Sequence, residues 1–158
     1  MRILISILFV MLAFSVSAEN TFPKGCRAMV IHGEEITITA KSNRLIYIHN
    51  ISSNNMWLTH PKKDPGASAG WTTRLQAGNW SALTIEKGPF ILNCIESKPG
   101  HEQQIPCMSV VAVCKWKKMP APKNDDVQTY WVAEDMSLPA LNAAVDGRGF
   151  NVSASEEE

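Results

Sequence analysis

The sequence predicts an all-β domain, a disulfide-stapled sandwich or barrel of about seven or eight strands carrying a short C-terminal helix. Three observations point there. Turn residues recur about every eight to twelve positions between Cys26 and Trp116, as in small sandwiches and barrels. The segments between those turns alternate apolar with polar residues or are rich in β-branched and aromatic ones. Finally, the 158-residue chain carries 4 cysteines, all of them after a segment that reads as an export signal.

That segment is residues 1–18. Met1-Arg2 gives a short positive start, Ile3 to Phe14 is almost unbroken in apolar residues, and Ser15-Val16-Ser17-Ala18 places small residues where a signal peptidase reads. The order of charge, apolar run and cleavage site marks a secretory signal peptide rather than a buried helix, and the run is short for a membrane anchor. The chain from Glu19 is therefore expected to be exported, to the periplasm or beyond the cell, with no membrane span after cleavage. An even number of cysteines in an exported chain argues for disulfides, with three pairings open to four cysteines. No two of them have the short spacing of a structural zinc site. The formal net charge is +0, which removes the electrostatic case for nucleic acid or an acidic membrane surface. Bases are in slight excess up to Trp116 and acids after it, ending in Glu156-Glu157-Glu158, a composition typical of a solvated tail.

Residues 19–116 read as the β-domain. Glu19 to Gly25 is a polar lead-in, and Cys26 to Ile31 a first strand ended by His32-Gly33. Glu35 to Ala40 alternates, with Ile36 and Ile38 on the core side. Arg44 to His49, Met56 to His60, Trp71 to Leu75 and Trp80 to Ile85 are further strands, separated by turns at Lys41-Ser42-Asn43, Asn50 to Asn55 and Gln76 to Asn79. Pro61 to Gly70 holds two prolines and a run of tiny residues, so it is a long loop. Residues 117–150 read as a linker, a strand at Thr129 to Ala133 and a short helix over Asp135 to Val145 docking on the sandwich. Leu138, Leu141 and Val145 lie at helical spacing there, with Pro139 in the first turn and Gly147 as a stop. Residues 151–158 read as a disordered acidic tail.

Phe90 to Trp116 holds three of the cysteines and reads as a hairpin, two apolar strands around a polar loop, on which the rest packs. Phe90, Leu92 and Cys94 share one face before the loop, and Met108, Val110, Ala112, Cys114 and Trp116 share one after it. Cys107 and Cys114 are an odd number of residues apart, so in one regular strand they point to opposite faces and serve different bridges. The expected pairing is Cys94–Cys107 closing the loop and Cys26–Cys114 tying the first strand to the last; a Cys26–Cys94 link would overturn it.

Chemistry is sparsely signalled. Gly66-Ala67-Ser68-Ala69-Gly70 matches the pattern of a hydrolase nucleophile elbow, but that elbow needs a strand before it and a helix after it. Prolines precede Ser68 here and a threonine-rich strand follows; the acid and base could only be Glu86 or Glu96 with His101. His49 and His60 with Met56 and Met108 could be imagined as copper ligands of a sandwich, yet the close ordering of Cys, His and Met near the C-terminus is missing. No catalytic residue, metal or cofactor is expected. Glu96, Lys98, His101 and Glu102 form a charged cluster in the loop of the hairpin. Trp57, Trp71 and Trp80 flank the loops around Gly66 and Gly78, which suits a carbohydrate or protein contact surface. Asn50, Asn79 and Asn151 open glycosylation sequons, relevant only to a eukaryotic secretory pathway.

Three stretches together carry a resemblance: His60-Pro61 with Asp64 to Trp71, then Gly78 to Leu83, then Cys94 to Glu102. They resemble the small exported enhanced-entry (EnhB) proteins of Legionella and its relatives, over most of the chain after the signal. The resemblance implies a role in bacterial entry into host cells, through an unidentified protein partner in the envelope or host, and no enzymatic activity. It supplies no catalytic residues. It marks two loops as distinctive surfaces, and with the flanking aromatics these give a candidate contact set of Asp64, Ser68, Trp71, Trp80, Glu96, Lys98, His101 and Glu102. The competing expectation is a small periplasmic ligand-binding or hydrolytic module.

Overall fold

The described residues form two antiparallel sheets, one short helical turn and one longer helix. The computed structural model describes residues 22–60, 72–85, 87–116, 133–150 and 152. The signal peptide, the loop with Asp64, Ser68 and Trp71, the linker and the tail apart from Val152 lie outside the described residues.

The strands are β1 (Cys26–Met29), β2 (Glu35–Ala40), β3 (Arg44–Asn50), β4 (Met56–Thr59), β5 (Thr72–Leu75), β6 (Trp80–Ile85), β7 (Gly88–Glu96), β8 (Gln103–Ile105), β9 (Val111–Trp116) and β10 (Ala133–Met136). A single helical turn, α1 (Cys107–Val110), precedes β9, and α2 (Leu138–Gly147) follows β10. One sheet runs β1-β9-β3-β6-β10 and the other β2-β7-β4-β5, with β8 pairing β7. Asn93 of β7 pairs with Glu35 of β2 and with Thr59 of β4, while Glu96 pairs with Met56 of β4 and Gln103 of β8. β2 and β8 therefore share one edge of β7, end to end. The arrangement is a sandwich; its sheets do not close into a barrel.

Two cores follow from what covers each face. Ile36, Ile38, Ile46, Ile48, Met56, Leu58, Leu75, Leu83, Ile85, Leu92 and Val113 meet between the sheets. Leu45, Tyr47, Trp80, Ala82, Trp116, Leu141, Val145 and Phe150 form a second core on the other side of β3 and β6, beneath α2. Hence β2 alternates buried Ile36, Ile38 and Ala40 with exposed Thr37 and Thr39, whereas every residue of β6 is buried. The two sheets are accordingly a helix-covered sheet and one, termed open, whose outer face no described element covers. Each disulfide belongs to a different core: Cys26–Cys114 to the helix side and Cys94–Cys107 to the space between the sheets.

Several expectations need correction. Among the described residues nine strands, against the seven or eight expected, lie between Cys26 and Trp116. The additional one is β8, whose three residues, Gln-Gln-Ile, are too short and polar to show a period. Phe90 to Trp116 is not a hairpin of two paired strands. β7 returns as β8, Pro106 ends that strand, and α1 carries the chain across to β9 in the other sheet. Cys107 thus sits in a helical turn and not in the strand of Cys114, so strand parity does not separate the two. Met108, placed by that parity on the face of Cys114, is exposed. Of the strand expected at Thr129 to Ala133 only Ala133 is described, where it opens β10; the rest lies outside the described residues. The helix α2 starts at Leu138, later than Asp135, with Ser137 at the N-cap position but making no side-chain cap bond and Pro139 in the first turn.

α2 is locked from three sides. Leu141 and Val145 are fully buried, and Tyr47 Oη donates to Asn142 Oδ1 at 3.0 Å. Past the helix, Gly149 at φ 93° takes the left-handed position that closes it, and the Phe150 N–H returns to the Val145 carbonyl at 3.3 Å. That turn delivers Phe150 into the second core. Val152, expected in the disordered tail, is only 1% exposed, and its N–H bonds the Asp146 carboxylate. Burying such side chains stabilises by about 1.5–3 kcal/mol each.

Candidate contact surface

The loop between β7 and β8 is shaped by its own sequence. Lys98-Pro99-Gly100-His101 is a turn closed by the His101 N–H to the Lys98 carbonyl at 3.0 Å. Pro99 has the fixed φ that its position needs, and Gly100, at φ 78°, provides the left-handed residue of a type II turn. The Ser97 N–H donates to the Asn55 carbonyl at 3.2 Å, tying the loop to the turn before β4. At its base the Cys94–Cys107 bridge, with a Cα–Cα distance of 5.3 Å, fixes where the hairpin departs and returns. Lys98 Nζ pairs with Glu96 Oε1 at 2.7 Å, and Lys98, His101 and Glu102 are exposed. With its lysine 58% and its glutamate 19% exposed, the pair is only partly buried and contributes little stability.

Glu102 leads onto the outer face of the open sheet. With Trp57, Thr59, Thr72 and Ile95 it lines an open groove of about 310 Å³. Trp57 pairs across strands with Ile95 on one side and Arg74 on the other, and Thr59 pairs with Thr72. This is the outward half of β4: Met56 and Leu58 enter the core, while Trp57 and Thr59 point away from it. The signal was present in the sequence as a tryptophan at an outward position of an alternating strand. Trp57 is among the aromatics expected to suit a contact surface but is not in the expected contact set, and Thr59, Thr72 and Ile95 are in neither.

Of that set, Glu96, Lys98, His101 and Glu102 are brought together. Asp64, Ser68 and Trp71 lie outside the described residues. Trp80 does not belong to a surface. It is 6% exposed, with the His49 ring stacked on it at 4.1 Å and Phe22 edge-on at 6.0 Å, because it faces the helix-side core rather than the groove.

His49 and His60 have structural partners in two different sheets. His60 Nδ1 is 2.6 Å from the Ile91 carbonyl and its ring stacks on Phe90 at 4.7 Å, on the open sheet. His49 stacks on Trp80 in the helix-covered sheet, and burial there lowers its pKa while a hydrogen bond to the Gly78 backbone opposes the shift. Met56 is in the inter-sheet core and Met108 on the surface, so these four residues do not converge. Among the described residues no group of three His, Cys, Asp or Glu side chains is placed to hold a metal ion, and no helix is long and apolar enough to cross a membrane.

Two of the three sequons are used internally. Asn50 is fully buried, with Nδ2 donating to the Asn54 and Leu75 carbonyls at 2.8 and 3.1 Å and Oδ1 accepting from Ser52. Asn79 Nδ2 donates to Asp135 Oδ1 at 3.0 Å. Asp135 is the joint between β10 and the turn after β5. It takes a positive φ of 50°, accepts from the Gln76 N–H and side-chain amide at 2.8 and 2.7 Å, and donates its own N–H to Ser81 Oγ at 3.0 Å. Burial alone would raise its carboxyl, but the hydrogen bonds from Gln76 and Asn79, with Arg74 nearby, outweigh that and hold it below its ordinary value.

These features define the class as a disulfide-braced, two-sheet β-sandwich with one face capped by a helix and the other open. Beyond the fold, comparison with protein-family models, curated proteins and solved structures finds no match.

Proposed function

We propose that the protein is an exported, non-catalytic contact module related to the enhanced-entry (EnhB) proteins, working through a protein partner in the cell envelope or on a host cell. The observation that carries this is the continuity of the braced β7–β8 loop with the groove on the open sheet. A charged, turn-stiffened tip adjoins a half-buried tryptophan and isoleucine, the mixture of aromatic anchor and polar rim that protein interfaces favour. A loop fastened before binding loses little conformational entropy on association. Two disulfides suit an oxidising compartment, which together with the sequence of residues 1–18 supports export.

The test replaces Lys98 to Glu102 with a Gly-Ser segment of equal length and, separately, changes Trp57→Ala. Cells are first fractionated to find the mature chain, and intact protein is then used to capture partners from that compartment. A partner held by the unchanged protein should be lost from both variants, with melting temperature preserved in the first. Retention of the partner by both variants sinks the site; recovery of the chain from the cytoplasm, with its signal uncleaved, sinks the reading as a whole.

A further inference from the structure

At the opposite side of the sandwich from Asn50, where β2 and β6 end and β3 begins, the two sheets leave an open pocket of about 190 Å³. Its floor is Ile38, Ile46 and Ile85, all buried members of the inter-sheet core, and its rim is Lys41, Arg44 and Lys115. Strand register explains why the cations gather. Val113 enters the inter-sheet core, so Lys115, two residues on, shares its face. Lys115 pairs directly with Arg27 of β1 on one side and with Ile46 of β3 on the other, and Arg44 stands two residues before Ile46. Two cations are thus placed directly opposite one another on one sheet face, with a third one diagonal step away.

Such a pair is unfavourable in a sheet, since directly opposed side chains start only about 4.5–5.5 Å apart at Cβ. Among the described residues the one salt bridge joins Lys98 and Glu96, so none engages Arg27, Lys41, Arg44 or Lys115. No carboxylate of the described residues lines the pocket. The fold therefore holds a cluster of like charges at the mouth of an apolar cleft, and the charges are not arranged to stabilise it.

We infer that this pocket binds a small amphiphilic anion, a carboxylate or phosphate head held by Arg44 and Lys115 with a short apolar group inserted against Ile38, Ile46 and Ile85. The volume admits roughly six non-hydrogen atoms at the ~30 Å³ that a water molecule occupies in the liquid. That excludes insertion of a long acyl chain and fits a group the size of a hexyl chain or a single ring. Arginine is suited to the head because its planar fork matches carboxylate and phosphate oxygens in pairs. The pocket is separate from the loop and groove, so it stands whether or not that surface binds a protein.

The full-length mature chain is titrated with hexanoate, hexyl phosphate, 1-hexanol and inorganic phosphate, followed by NMR shifts of the Ile38, Ile46 and Ile85 methyl groups. Hexanoate or hexyl phosphate should bind saturably, the tighter of the two identifying the head, while the alcohol and the bare phosphate bind at least tenfold more weakly. Binding of the preferred anion should fall at least tenfold in the Arg44→Gln/Lys115→Gln variant. A second variant separates ligand recognition from folding. Lys115→Glu should raise the melting temperature by relieving the contact with Arg27, and should abolish anion binding at the same time. Equal affinity for the alcohol and the anion overturns the proposal, as do unmoved isoleucine methyls at saturating ligand or undiminished binding in Lys115→Glu.

Discussion

The two sheets share one core and differ in what lies on their other faces. In the helix-covered sheet, β3 and β6 are buried on both sides, so Tyr47, Trp80 and Trp116 pack under α2 and Phe150. In the open sheet, the same alternation sends Thr37, Thr39, Trp57 and Ile95 to a face that no described element covers. The first sheet lends its outer face to stability. On the second, the outer residues are released from packing, and their identities can be set by what they touch. This is why the candidate contact surface and the helix lie on opposite sides of the molecule.

The largest test of that difference is at the disulfides, one in each core. Cys26–Cys114 closes a separation of 88 residues and Cys94–Cys107 one of 13. If the bridges act by restricting the unfolded chain, the loss should be about 4–5 kcal/mol for Cys26→Ala/Cys114→Ala and about 3 kcal/mol for Cys94→Ala/Cys107→Ala. Urea titrations of the two double variants compare them directly. A larger loss at the shorter loop would mean that bracing of the β7–β8 loop, and not chain entropy, dominates.

Next in size is the helix-side core itself. Phe150→Ala should cost about 3–5 kcal/mol, as large-to-small changes in cores do. Ile95→Ala, on the half-buried outer face of the open sheet, should cost about 1 kcal/mol or less, a fraction of what full burial gives. Equal losses in thermal melts would show that something covers the open face.

The same contrast decides what the sequence made legible. Strands that face solvent on one side, such as Glu35 to Ala40, show their period and are read at once. The unbroken burial of Trp80 to Ile85 does show β-branched and aromatic character, but it conceals which side faces which core. Trp80 therefore passed for a surface aromatic. The sheet change after Pro106 was hidden for another reason: a four-residue helical turn has no periodicity to detect, and nothing local distinguishes a strand that returns from one that crosses over. β8 was invisible because its pairing comes from β7 and not from its own residues. The loop at Glu96 to Glu102 was legible, since Pro99-Gly100 specifies its turn chemistry directly. The cationic pocket was not, because Arg27, Lys41, Arg44 and Lys115 come from separated stretches and meet only through register.

A smaller effect is expected where the two sheets are joined at Asp135. Asp135→Asn keeps the tolerance for positive φ but sets an amide against the Gln76 and Asn79 donors. Its carboxylate is half-buried at the edge of the solvent, so the loss should be about 1 kcal/mol at neutral pH. The folded-state pKa is depressed, so the stabilisation is present above the unfolded carboxylate value and disappears as pH falls through the folded one. Wild type and variant should therefore differ at pH 7 and converge only once the pH has fallen below the ordinary aspartate value of about 3.9, since the folded carboxyl titrates lower still. A difference that persists at acid pH would point to shape rather than charge.

The smallest and most specific expectation concerns His49, which lies on the helix side of the comparison. Its ring is stacked on Trp80 with an interplanar angle of 3°, and Nδ1 is buried without a hydrogen-bond partner. Burial favours the neutral ring and lowers its pKa, with the Gly78 backbone partly opposing. Below about pH 6.5 the unfolded chain takes up a proton that the folded chain refuses, so stability should fall on acidification until the folded value is reached. Above that range both states are neutral and the residue contributes no pH dependence. His49→Phe preserves a ring against Trp80 and removes the titration. Denaturant midpoints across pH 5–7 should slope for the wild type and flatten for the variant. The Trp57→Ala change on the open face should leave that slope as it was. If instead the variant keeps the wild-type slope, the acid sensitivity lies elsewhere and the helix-side core is insensitive to protons over this range.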